Sequence, residues 1–156
     1  MSEIDRLTAA LASRPEDAEL WHQLGLAQFD AGSNEEARAS LVEAVRLEPG
    51  RAESHFFLAK VFDVLKRYGE MVDAFREAAW LAPEWADAHY NLGLSLLMLG
   101  DYEEAIEPLK RAVEIDPQCG GAHKGLGIVY GMLGNAEAAE HHAGLADRLG
   151  PDPEKT

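Results

Sequence analysis

Apolar residues recur along this chain at spacings of three and four, the pattern of one buried face on a helix with 3.6 residues per turn. Leu92, Leu96 and Leu99 follow it, a break comes at Gly100-Asp101, and Ala105, Leu109 and Ala112 resume it. The pattern predicts two amphipathic helices and a tight turn. Gly32-Ser33, Gly100-Asp101 and Gly134-Asn135 punctuate the turns, each with glycine at a helix end and a capping side chain at the next start. Ser33 and Glu36 have the spacing of a capping box. At the corresponding break further on stands Lys66-Arg67-Tyr68-Gly69, so an irregular turn is expected there.

The helix pair repeats. Pro49, Pro83 and Pro117 lie 34 residues apart, and Pro15 and Pro151 extend the ladder at both ends. Aligned on these prolines, Leu24, Leu58, Leu92 and Leu126 share a column, followed by Gly25, Ala59, Gly93 and Gly127. Further columns hold Ala37, Met71, Ala105 and Ala139; Leu41, Phe75, Leu109 and Ala143; and Ala44, Ala78, Ala112 and Ala146. Every one is apolar or small. The small columns predict close helix approach, where an added side chain costs about 1–3 kcal/mol in overpacking.

Trp21-x-x-Leu24-Gly25, then Ala37, Leu41, Ala44 and Pro49, resembles the tetratricopeptide repeat, and the pattern recurs four times, over 18–51, 52–85, 86–119 and 120–151. The resemblance implies one all-α domain, a right-handed superhelical α-solenoid of antiparallel helix pairs. Glu3 to Ser13, with Ile4, Leu7 and Leu11 at helical spacing, reads as a truncated leading repeat that caps the N-terminal end. The C-terminal end is less protected: the last helix is rich in Ala and Gly, and the tail 152–156 cannot supply a further helix.

In proteins of this kind the first helix of each repeat lines a concave groove. Carried over position by position, the peptide-binding groove would contain His22, Leu26, Phe29, Phe56, Phe57, Lys60, Tyr90, Asn91, Leu94, Lys124 and Ile128. Phe56, Phe57 and Tyr90 are its sharpest candidates, because aromatic side chains bury much area at interfaces; packing between repeats is the competing role for each. Met98 and Met132 read as core filling, with adaptable contact surface as the alternative. The lysine, arginine and asparagine clamp with which some relatives hold chaperone tails is not reproduced. Its positions carry His22, Leu26, Phe57, Asp87 and Asn91, and only Asn91 fits. Trp80 and Trp85 flank Pro83 in columns that elsewhere hold charged residues, which suggests partial exposure and a second contact surface, with packing against the neighbouring turn as the competing and favoured role.

Charge narrows the partners. The 28 acidic residues against 14 basic ones give a net charge of -14, which repels phosphate backbones and anionic lipid headgroups. Neither nucleic acid nor membrane insertion is expected. No apolar run reaches the roughly 18 residues of a membrane span, and the N-terminus lacks the pattern of a signal peptide, so a cytoplasmic location is expected. Cys119 is the only cysteine and reads as a loop thiol without a role.

No catalytic constellation emerges. His55, His89 and His123 recur every 34 residues, but neighbouring repeats stand about 8–10 Å apart, too far to share a metal. The column is filled by Trp21 in the first repeat, which points to packing. Glu137 and His141 lack a third ligand, and Gly120 to Gly125 lacks the spacing of a phosphate loop. No enzyme activity, metal or cofactor is expected. The expected function is a protein–protein interaction module or scaffold that holds a peptide or helical segment, apolar with basic flanks, in its groove. The alternatives are a dedicated chaperone for a secreted or aggregation-prone client, and a self-associating repeat protein, a homo-oligomer through its C-terminal helix.

Overall fold

The computed structural model describes residues 1–150. Pro151, the last rung of the proline ladder, and the tail 152–156 lie outside the described residues. Among the described residues there are nine helices and no strand: α1 (Glu3–Ser13), α2 (Ala18–Asp30), α3 (Asn34–Leu47), α4 (Ala52–Val64), α5 (Tyr68–Leu81), α6 (Ala86–Leu99), α7 (Tyr102–Ile115), α8 (Gly120–Met132) and α9 (Ala136–Leu149). They form two compact units, Met1–Leu81 with α1 to α5, and a second, from Ala82, with α6 to α9. In the first, α2 packs on α3 and α4 on α5; in the second, α6 packs on α7 and α8 on α9.

Four turns of one kind join these pairs. Gly32, Gly100 and Gly134 adopt left-handed φ angles of 76°, 88° and 80°. The next residue's N–H then returns to a carbonyl of the preceding helix: Ser33 to Gln28, Asp101 to Leu96 and Asn135 to Tyr130. Lys66 takes the same place with φ 61°, and Arg67 donates to the Phe62 carbonyl at 2.9 Å. The second turn is therefore regular, not irregular as its sequence suggests; only its residue is unusual. Helix starts depart from expectation as well. Ser33 makes no side-chain cap, so the Ser33–Glu36 capping box does not form. A capping box does form at the N-terminus, where Asp5 N–H donates to Ser2 Oγ and Ser2 N–H to Asp5 Oδ2.

The first unit is built on apolar columns. Leu7 and Leu11 of α1 pack on Leu20 and Leu24 of α2, and Ala37, Leu41 and Ala44 of α3 are wholly buried. In the second unit Ala105, Leu109 and Ala112 of α7 are wholly buried, together with Ala122, Leu126 and Val129 of α8. By contrast, α9 has no buried residue.

The recurring histidine column has a structural task. Trp21 Nε1–H donates to the Pro15 carbonyl at 2.7 Å. His55, His89 and His123 place Nε2 against the carbonyls of Pro49, Pro83 and Pro117 at 2.9, 3.1 and 3.3 Å. An indole can only donate, so the shared geometry assigns the histidine Nε2 atoms as donors too. Each ring ties a first helix to the proline turn that precedes it.

Candidate functional site

On the first unit, α2 and α4 present His22, Leu26, Phe29, Phe56, Phe57 and Lys60. His22 is buried, with Nδ1 3.0 Å from Ser54 Oγ on α4. Burial pushes its imidazole below the usual pKa, and the nearby Arg51 charge adds to the shift. Arg51, at the start of α4, also forms an ion pair with Glu19 of α2, and that hydrogen bond holds the Glu19 carboxyl below its usual pKa. These polar links hold α2 and α4 side by side.

Phe56 is 8% exposed and meets Phe75 of α5 edge-on at 5.4 Å. It is core rather than groove, and so is His22; both corrections arise because those helix positions point between the helices. Phe57, the neighbour of Phe56 on α4, stays half-buried. It packs edge-on against His22 at 6.0 Å and Phe56 at 5.7 Å, and Lys60 Nζ stands 5.8 Å above its ring. Leu26 and Phe29 are half-buried as well, so α2 and α4 offer a partly open apolar surface with one cation on it.

On the second unit, Tyr90, Lys124 and Ile128 come together at one cavity of about 910 Å³. Gly120, Gly121 and Gly127 of α8 and Ala139, Glu140, Ala143, Ala146 and Asp147 of α9 complete its lining with Gly150. Gly121 leaves room for the Tyr90 ring as it lies here: a Cβ would stand 2.7 Å from the Tyr90 hydroxyl. Asn91 and Leu94 are half-buried and are not among the residues that line it; the Asn91 amide donates to the Asp87 carbonyl of its own helix at 2.8 Å. Lys124 and Ile128 are exposed.

Beside the cavity, α9 is tied to α8 by an imidazole pair. His123 Nδ1 and His142 Nδ1 are 3.1 Å apart, and the Tyr130 ring stacks on His142 at 5.7 Å. Since His123 Nε2 donates to Pro117, its Nδ1 is the acceptor and His142 the donor. Burial pushes the His142 pKa down, and the neighbouring His123 and His141 add to this. Among the described residues no group of three histidine, cysteine or acidic side chains is placed to hold a metal ion.

Three other side chains differ from expectation. Met98 and Met132 are exposed, 63% and 58%, rather than core filling. Cys119 lies in the connection just before α8, as a loop residue, but it is buried. Trp80 on α5 is 74% exposed and does not pack against the neighbouring turn, whereas Trp85, just before α6, is half-buried. The α9 residues of the cavity escape a reading confined to first helices. Their signal was nevertheless present, in the replacement of Leu109 by Ala143 one repeat later.

Two sequence profiles, each described as a tetratricopeptide repeat, match the chain, one over residues 86–119 and one over residues 1–79, half its length. The chain belongs to the tetratricopeptide repeat family. Among solved structures, a crystal structure of MamA is similar, at 27% identity and a TM-score of 0.88, over 94% of this chain and 85% of that one. A second MamA crystal structure matches at 27% identity and 0.86, over 94% and 80%. Residues 41 to the end of MamA from Desulfovibrio magneticus RS-1 match at 23% and 0.84, over 94% and 82%, and share the fold. No curated protein sequence matches significantly. Repeats of this family are in general non-catalytic protein-interaction modules. No described helix is long and apolar enough to cross a membrane.

Proposed function

We propose that this repeat protein is a non-catalytic scaffold that holds a segment of another protein, apolar with basic flanks, against the first helices of its repeats. The observation that carries this reading is the cavity of about 910 Å³ at which Tyr90, Lys124 and Ile128 converge. Its size is that of a site for a side chain or a short segment, and its walls are mainly apolar with a few polar groups. Phe57, with Leu26 and Phe29 near it in sequence register, supplies aromatic and aliphatic surface on the first unit. The net charge of -14 favours basic flanks in the bound segment.

Affinity capture from lysate with the full chain tests this. Phe57→Ala and Tyr90→Ala should each reduce recovery of the partner while leaving the helical circular dichroism signal intact. Undiminished recovery with both variants contradicts the reading. Recovery of one abundant, aggregation-prone client would favour the chaperone role over a scaffold. Recovery of the chain alone, with self-association seen by light scattering, would favour the structural role.

A further inference from the structure

Within the second unit the surface of α6 and α7 has a cover. Leu109 of α7 fills the space above Gly93 of α6, and α8 then closes over it: a Cβ at Gly125 would stand 3.1 Å from both Leu109 methyl carbons. A large side chain below faces a bare backbone above, and Leu109 is wholly buried as a result.

One repeat later no described residue covers the same surface. Ala143 occupies the column of Leu109 and is exposed, and the space the leucine would fill belongs to the cavity. Ala139 and Ala146 stand in columns that are wholly buried in α7, yet neither is buried here. Two flanking columns change character as well. Ile106 and Val113 of α7 correspond to Glu140 and Asp147 of α9, and both acids line the cavity.

We propose that this face of α8 and α9 receives one α-helix of a different, basic protein, lying where a further first helix would pack. The occupant is a helix because a helix covers the equivalent surface of α6 and α7. It must reverse the size pattern of α8, setting a large apolar side chain over Ala143 where α8 sets Gly125 over Leu109. Lysine or arginine on its neighbouring turns faces Glu140 and Asp147. A second copy of this chain is disfavoured by its net charge of -14. The proposal rests on the interaction-module reading and sharpens it at one end of the second unit.

The test uses the full chain and a designed helical peptide with the 14 residues of α9's length, carrying one leucine at its centre and lysines one turn to either side. Calorimetry should detect binding, with amide shifts in nuclear magnetic resonance confined to α8 and α9 and to Tyr90. Replacing the peptide leucine by glycine, or its lysines by glutamates, should weaken binding by about tenfold or more. Ala143→Leu, which refills the space as Leu109 does, should weaken it comparably while thermal stability holds, because Ala143 is exposed. The double variant Glu140→Lys with Asp147→Lys should lose the lysine peptide and gain the glutamate one.

Equal binding to wild type and Ala143→Leu, or shifts outside this face, overturns the proposal. So does sedimentation showing a wild-type dimer that Ala143→Leu dissociates, since a second copy would then be the cover. A capture experiment in which Phe57→Ala loses the partner while Ala143→Leu binds the peptide as wild type does would keep the module and remove this site.

Discussion

Leu109 lies so close over Gly93 that a Cβ on the glycine would meet Leu109 Cγ at 2.5 Å and the Leu109 backbone nitrogen at 3.1 Å. The side chain could swing away; the backbone of α7 could not. Gly93→Ala should therefore destabilise the protein by about 1–2 kcal/mol, overpacking outweighing the better helix propensity of alanine. Gly127 is the matching position against α9, where a Cβ would come no closer than 3.3 Å, to Ala139 O and Ala143 N. Because α9 has no buried residue, a small shift is cheap there. Gly127→Ala should be within about 0.5 kcal/mol of wild type. Thermal melts of the two variants measure the difference.

Two residues conflict locally with the structure around them. Lys66 sits at φ 61°, where its three counterparts are glycine, and Pro108 lies inside α7. A left-handed lysine costs about 1–2 kcal/mol, partly offset in Lys66→Gly by the freer unfolded chain. Lys66→Gly should raise stability by about 0.5–1 kcal/mol. Pro108→Ala restores a backbone donor and should stabilise by about 1 kcal/mol or more. Denaturant midpoints read both, and a loss of stability in either variant contradicts the local account.

Burial and Arg51 depress the pKa of His22, which ordinarily lies near 6.5. The unfolded chain therefore binds the proton more readily, and stability must fall as pH drops through 6.5 until the pH passes below the folded-state value. Glu19, held low by Arg51, adds a separate loss at pH below its ordinary value of 4.5. Urea unfolding between pH 8 and pH 5 should show the first loss, and His22→Gln should flatten it in part. His142, also depressed, should supply some of the remaining slope.

Much of this was legible in the sequence because each repeat states the same physical problem again. The leucine column, the glycine and alanine columns and the glycine turns located the helix pairs, since packing and backbone conformation leave few residue types at those places. The choice between Phe56 and Phe57 was not legible. Adjacent residues on a helix differ by about 100° in direction, and only the packing of α4 on α5 shows that Phe56 turns inward. His22 misled for the same reason, its polar ring being satisfied by Ser54 across the helix contact. Lys66 misled because a residue that rarely adopts positive φ can still be forced to when the helices on both sides fix the turn.

The central proposal is that Phe57, on the first unit, and the cavity residue Tyr90, on the second, each contribute to binding of a protein partner. Calorimetric titration of the captured partner against wild type, each single alanine variant and the double variant tests it most directly. Each single change should weaken binding by about tenfold or more and the double variant further still, with unfolding midpoints close to wild type. Affinities unchanged in all three variants, at equal helical content, would contradict the claim.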